Sequence, residues 1–129
     1  SFKKELYQGV HDLSTDHIYI ALYTSNASLD QNTTVYSSTN EITGSGYTAG
    51  GQQLLNPIIS SSGYTAYVTF DNASWSGALT ARCALIYNAS KANRAIAILD
   101  FGSNKTSTTT FTVTLPPNTA ETALIRSSN

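Results

Sequence analysis

The amino-acid sequence predicts an all-β domain: an antiparallel β-sandwich, Ig-like or jelly-roll-like, with a short N-terminal helix over residues 1–10. Three observations carry this. Apolar runs and period-two alternations recur at intervals of about twelve to fifteen residues, with turn-forming Asn, Ser and Gly between them. After residue 10 no segment repeats its apolar residues with a helical period. The polar residues are chiefly Ser, Thr and Asn, which suit pleated surfaces and tight turns. Only 12% of the 129 residues are charged, about half the usual share. The length is that of one domain, 1–129, and no shift in composition marks a boundary.

The elements follow in order. "SFKKELYQGV" places Phe2, Leu6 and Val10 four apart, on one face of a short helix that Ser1 caps and Gly9 ends. A helix this short is marginal alone and needs a surface to dock on. "HIYIALYT", residues 17–24, is apolar or aromatic on both faces, which predicts a strand covered on both sides. "SNASLDQNTT" reads as a loop and "VYSSTNEIT" as a short edge strand. "GSGYTAGG" reads as a turn with positive φ at Gly44, Gly46, Gly50 or Gly51. "QQLLNPII" is a strand broken by Pro57.

From residue 64 onward the strand pattern sharpens. Tyr64, Ala66, Val68 and Phe70 alternate against Thr65, Tyr67 and Thr69. "TARCALIYN" and "AIAILDFG" are apolar runs, "TFTVTLPP" alternates and then stops at two prolines, and "AETALIRS" forms a last strand. "DNASWSGAL", "NASKANR" and "GSNKTST" read as the turns between them. Asn26, Asn32, Asn72, Asn88 and Asn104 each begin an Asn-x-Ser/Thr triplet, which reads here as turn chemistry marking five loops.

Charge narrows the function. Seven Lys+Arg against eight Asp+Glu leave a net charge of −1. This speaks against nucleic acid as a partner, which calls for clustered cations, and against a basic membrane-binding patch. No signal-like segment opens the chain and no apolar run reaches membrane-spanning length, so synthesis in a cytoplasm is expected. Cys83, the single cysteine, lies in a core strand and reads as a small buried hydrophobe.

No residue pattern calls for catalysis or for a cofactor. His11 and His17 flank Asp12 and Asp16 in "HDLSTDH", but the spacing fits no known metal pattern. The segment is expected to be a connection in which Asp12, Ser14 or Asp16 satisfies backbone amides. Glu41, Asp71, Asp100 and Glu121 are scattered acids, and Asp100 is expected to pair with Arg82 or Arg94 across strands. The glycines of "GSGYTAGG" lack the lysine and the following helix of a phosphate loop. Trp75, in "DNASWSGAL", reads equally as a core edge or as a contact residue in a loop.

"FKKELYQGVHDLSTDHIYIALYTSNASLD" followed by "TTVYSSTNEITGSGYTAGGQQL" resembles a family of small virion-associated proteins of tailed bacteriophages. The shared pattern is a short helix with "GVHD", a strand "IALYTS", then "TNE" and "GYTAGG". The resemblance covers about the first 55 residues, with agreement in length and β-rich character beyond them. It implies a virion structural component, made in the bacterial host cytoplasm, with no enzymatic activity, cofactor or metal. The leading role is capsid decoration or cement on the major capsid protein lattice, in homo-oligomeric form. Neck, tail or fibre adaptor, or a tail-borne carbohydrate- or receptor-binding module, are the alternatives. Candidate intersubunit contacts are Phe2, Leu6, Tyr7, Tyr47 and Trp75, as apolar residues at marginal or surface sites.

Overall fold

The computed structural model describes residues 4–5, 8–30, 32–62, 65–114 and 125–128. Their strands are β1 (Ile18–Tyr23), β2 (Gln52–Gln53), β3 (Ile58–Ser62), β4 (Thr65–Thr69), β5 (Ala73–Ser76), β6 (Thr80–Asn88), β7 (Arg94–Thr106), β8 (Thr110–Val113) and β9 (Ile125–Ser128). All strand pairs are antiparallel. They form a four-stranded sheet in the order β2-β1-β6-β7, a three-stranded sheet β3-β4-β9 and a two-stranded sheet β5-β8. The protein is therefore all-β, as its sequence predicts.

The β1–β6 pair is the centre. Its register runs from Ile18↔Asn88 to Tyr23↔Cys83. Directly opposed residues share a face, so Ile18, Ile20 and Leu22 join Ala84 and Ile86 on one side. Ala21 and Tyr23 join Cys83, Leu85 and Tyr87 on the other. The first face packs against Val68, Phe70, Ala73, Trp75, Leu79, Phe111 and Val113. The second is covered by Ala27, Leu29 and Tyr36, from the long connection between β1 and β2. Burial on both sides is what the unbroken apolar runs of these strands require.

Several expectations need correction. "VYSSTNEIT" is not a strand; Val35 and Glu41 form only single bridges, to Arg94 and Tyr23. "DNASWSGAL" is not a turn, since β5 runs through it with Ala73 and Trp75 inward and Ser74 and Ser76 outward. "GSNKTST" is not a turn either, because β7 continues to Thr106 opposite Thr80. Of the five sequon asparagines, Asn104 lies inside β7 and marks no loop; Asn88 ends β6 with no exposed surface and opens the turn after it, accepting from Ser90 N–H with its side chain at 3.0 Å and from Lys91 N–H with its carbonyl at 3.2 Å.

The helix expected over residues 1–10 falls partly outside the described residues, and so do the candidate contacts Phe2, Leu6 and Tyr7. In the described part, Gln8 N–H donates to the Lys4 carbonyl (3.1 Å) and Val10 N–H to the Glu5 carbonyl (2.9 Å). Gly9 between them has φ +74°. A long bond closed over a left-handed glycine is the pattern with which helical turns end.

Candidate functional site

The segment that follows β1 folds back along the free edge of that strand. β2 pairs with Tyr19 and Ile20; beyond them, Ile42 N–H donates to the Leu22 carbonyl at 3.0 Å. Leu22 N–H in turn donates to the Tyr47 hydroxyl at 3.0 Å. Two glycines permit this closeness. A Cβ on Gly46 (φ +89°) would stand 1.6 Å from the Ser76 carbonyl oxygen, and one on Gly51 (φ +81°) 1.8 Å from that of Ile20. Only glycine fits such positions.

Glu41 is the hub of this segment. Its Oε1 accepts from the Tyr36 hydroxyl at 2.5 Å. Its Oε2 accepts from the Tyr47 hydroxyl and from Gly50 N–H at 2.8 Å. The Tyr87 hydroxyl donates to the Gly50 carbonyl at 2.6 Å, and the Tyr36 and Tyr87 rings stack at 4.7 Å. The Tyr23 hydroxyl donates to the Ser37 carbonyl at 2.7 Å. Burial, with the nearby Glu41 charge, pushes the Tyr87 phenol up to about 12. Burial first and Glu41 second also raise Tyr23, Tyr36 and Tyr47. All four hydroxyls are therefore fixed donors at neutral pH. The glycine-rich loop does hold an anion, but the anion is the protein's own carboxylate.

A second cluster centres on Asn88, which has no exposed surface. Its Nδ2 donates to His11 Nδ1 at 2.9 Å and to Asp16 Oδ2 at 2.8 Å. Its Oδ1 accepts from Ser90 N–H at 3.0 Å. Because an amide nitrogen only donates, His11 Nδ1 is the acceptor; its proton sits on Nε2, which donates to Glu5 Oε1 at 3.0 Å. Arg94 pairs with the other Glu5 oxygen. Lys91 Nζ reaches both Asp16 oxygens, at 2.9 and 3.0 Å, and Asp12 N–H donates to Asp16 Oδ2 at 2.9 Å. Burial pushes the Asp16 carboxyl up, but Asp12 N–H, Asn88 and Lys91 outweigh it and hold the group at about 2. The hydrogen bond from His11, with Arg94 beside it, keeps Glu5 below its ordinary value.

The two histidines and two aspartates of "HDLSTDH" therefore do not gather at one point: His11 and Asp16 share Asn88, while Asp12 and His17 turn elsewhere. Asp12 accepts from Ser14 N–H at 3.1 Å, and His17 Nδ1 faces Gln53 Nε2 at 2.9 Å. Asp12 and Asp16 satisfy backbone amides, as the sequence predicts. Among the described residues no three His, Cys, Asp or Glu side chains gather where a metal would sit.

Asp100 pairs with Arg82, one of its two expected partners. It also accepts from Gly102 N–H at 2.9 Å. Asp71 accepts from Asn56 Nδ2 at 2.5 Å; Glu121 lies outside the described residues. Cys83 is buried, and burial pushes its thiol up, away from the thiolate that reacts.

Of the candidate contact residues that are described, Trp75 is not in a loop. It sits in β5, only 4% exposed, with its ring 6.0 Å from that of Tyr47 and 6.4 Å from that of Phe111. Its indole N–H is buried with no hydrogen-bond partner among the described residues. Tyr47 is half-buried and its hydroxyl is committed to Glu41 and Leu22. The surface apolar residues that the sequence reading passed over are Leu55, Ile58 and Ile59, with Val35 apart from them. The strand expected over "QQLLNPII", broken by Pro57, includes Ile58 and Ile59, but nothing in that stretch signals that both lie at the surface.

A groove of about 730 Å³ lies along β7 and β8, lined by Leu99, Phe101, Phe111 and Val113 with Asp100 and Lys105. Among the described residues no helix is long and apolar enough to cross a membrane. No protein-family model, curated protein or solved structure matches the chain.

Proposed function

We propose that the chain is a non-enzymatic structural protein of a tailed-bacteriophage virion, a decoration or cement protein that binds the major capsid protein lattice. On this reading it is made in the bacterial host cytoplasm and ends in the particle, as a homo-oligomeric β-sandwich of the Ig-like or jelly-roll-like kind. The resemblance in residues 1–55 suggests the class. The observation that carries the reading is the exposure of Leu55, Ile58 and Ile59, in a stretch, 54–70, whose sequence holds no Lys, Arg, Asp or Glu. An uncharged surface with exposed aliphatic side chains suits permanent contact with neighbouring proteins. The acids add to this: Glu41 and Asp16 are engaged by the chain's own donors. They work as fasteners of loops to sheet.

Co-sedimentation tests the reading. The purified chain is mixed with capsids built from the major capsid protein of its phage, and the pellet is quantified. Saturable binding at a fixed number of copies per capsid is expected. Pelleting with neck or tail assemblies and not with capsids would move the role to the adaptor alternative. The carbohydrate-binding alternative would use exposed tyrosines together with Trp75, and of these Trp75 is buried. Selective binding of the isolated chain on a glycan array would nevertheless overturn the capsid reading.

A further inference from the structure

We infer that His11 is a proton-operated latch: uncharged, it ties the stretch before β1 to the buried end of β6, and charged, it lets go. His11 is 5% exposed, with none of its side chain open to water. Its Nδ1 accepts from Asn88 Nδ2 at 2.9 Å, and its Nε2 donates to Glu5 Oε1 at 3.0 Å. An imidazolium donates from both nitrogens. A proton on Nδ1 therefore sets two donors face to face.

Turning the amide over exchanges that clash for two others. Asn88 Nδ2 also donates to Asp16 Oδ2 at 2.8 Å, and Asn88 Oδ1 accepts from Ser90 N–H at 3.0 Å. A turned amide offers Oδ1 to His11, but it also sets Oδ1 against the Asp16 carboxylate and Nδ2 against Ser90 N–H. Two bonds are lost for one gained. Asn88 is held from two other sides, so the ring is the partner that leaves.

The surrounding charges do not rescue the contact. Glu5 faces the ring from its own segment, with Arg94 of β7 behind it. Beyond Asn88 stand Asp16, just before β1, and Lys91, in the turn after β6. Glu5 favours an imidazolium, but Arg94 already pairs with its other oxygen. Lys91 already pairs with Asp16. Both acids are thus neutralised by cations of their own, while a ring closed off from water bears the full desolvation cost of its charge. The closed latch binds one proton fewer than the open one. Its share therefore falls as pH drops through the ordinary imidazole range, about 6.5.

The latched stretch is short. Val10 N–H donates to the Glu5 carbonyl at 2.9 Å, whereas Leu13, two residues after His11, is packed in the main core. Opening frees Val10 and His11 and leaves β1 in place. The latch depends on the fold alone and is independent of the capsid role.

The test is nuclear magnetic resonance on the wild-type chain and on His11→Asn, from about pH 7.5 to about pH 5. Over this range Glu5, held below its ordinary value, and Asp16, at about 2, keep their charge. Asparagine places its carbonyl where Nδ1 stands, keeps an acceptor for Asn88 and takes no proton. At about pH 7.5 the His11 ring is expected as the Nε2–H tautomer. On acidification it should gain its second proton, and the exchange protection of the Val10 amide should fall about tenfold while that of Ile20 and Leu85 holds. In His11→Asn, which leaves His17 able to titrate, Val10 protection should not change with pH. A His11 that stays uncharged down to about pH 5, a charged His11 with Val10 still protected, or an equal loss in His11→Asn overturns the inference. Should His11→Asn fail to fold, the first two outcomes, read on the wild type, decide.

Discussion

Replacing Asp16 by asparagine should cost stability at neutral pH and should also flatten the acid limb of the stability curve. The side chain is only 9% exposed, and its carboxyl lies at about 2 instead of the ordinary 3.8. Its folded value is depressed, so the carboxylate's contribution is fully present above the unfolded value and is lost as pH falls through the folded one. The window is therefore about pH 4 to about pH 2, and the size of the shift corresponds to about 2 kcal/mol. Asp16→Asn keeps one carbonyl acceptor but turns an amide nitrogen, itself a donor, toward the donors Asn88 Nδ2 and Lys91 Nζ. Urea unfolding of both chains near pH 7 should show a deficit of about 2 kcal/mol for the variant. Repeated at about pH 2, the gap should close, because the wild type has by then lost the same contribution. Glu5, Asp12 and Asp100 also sit below their ordinary values, so both chains lose stability in acid; the difference between them isolates Asp16. A variant within about 0.5 kcal/mol of wild type near pH 7, with an equally steep acid limb, would refute the reasoning.

Three further outcomes can be checked directly. Tyr47→Phe removes the donor to Glu41 and the acceptor of Leu22 N–H, and should cost about 1–3 kcal/mol in urea unfolding; no measurable loss would mean that water replaces both bonds. Gly51→Ala, whose Cβ would meet the Ile20 carbonyl, should destabilise far more than Gly9→Ala, where nothing lies within 4 Å; that second change should cost about 1 kcal/mol for its left-handed backbone, and equal effects would contradict the close approach. In a spectrophotometric titration, Tyr23, Tyr36, Tyr47 and Tyr87 should still be protonated at pH values where free tyrosine ionises, with Tyr87 at about 12. Their folded values are raised, so the stability they add is lost as pH climbs above about 10. All tyrosines ionising together near that pH would exclude the buried cluster.

Local pattern made the central strands legible. The runs "IYIALY" and "TARCALIYN" are apolar at nearly every position, and only a strand covered on both faces accommodates that. Phe111 and Val113 alternate with threonine, and both are buried in β8. Composition misled where it competed with pattern. Asn, Ser and Gly in "DNASWSGAL" outweighed the two-residue alternation of Ala73 and Trp75. In "GSNKTST" the far half of β7 is strand only because Thr80 and Ala81 of β6 pair with it.

The candidate sites were less legible still. Glu41 looked like one scattered acid, because its donors Tyr36, Tyr47 and Gly50 share no regular spacing with it and meet it only once the loop folds back on β1. Asn88 looked like a turn residue, yet its partners His11 and Asp16 lie 77 and 72 positions away.

By itself, then, the sequence determined the β class, the two strands at the centre and the turn glycines, since burial and backbone freedom leave a periodic or residue-specific mark along the chain. The tertiary structure alone decided which polar groups are consumed as fasteners and which apolar groups remain at the surface. A hydrogen bond between distant residues, like the exposure of Ile58 and Ile59, depends on what the rest of the fold brings alongside, and that leaves no mark in the local pattern.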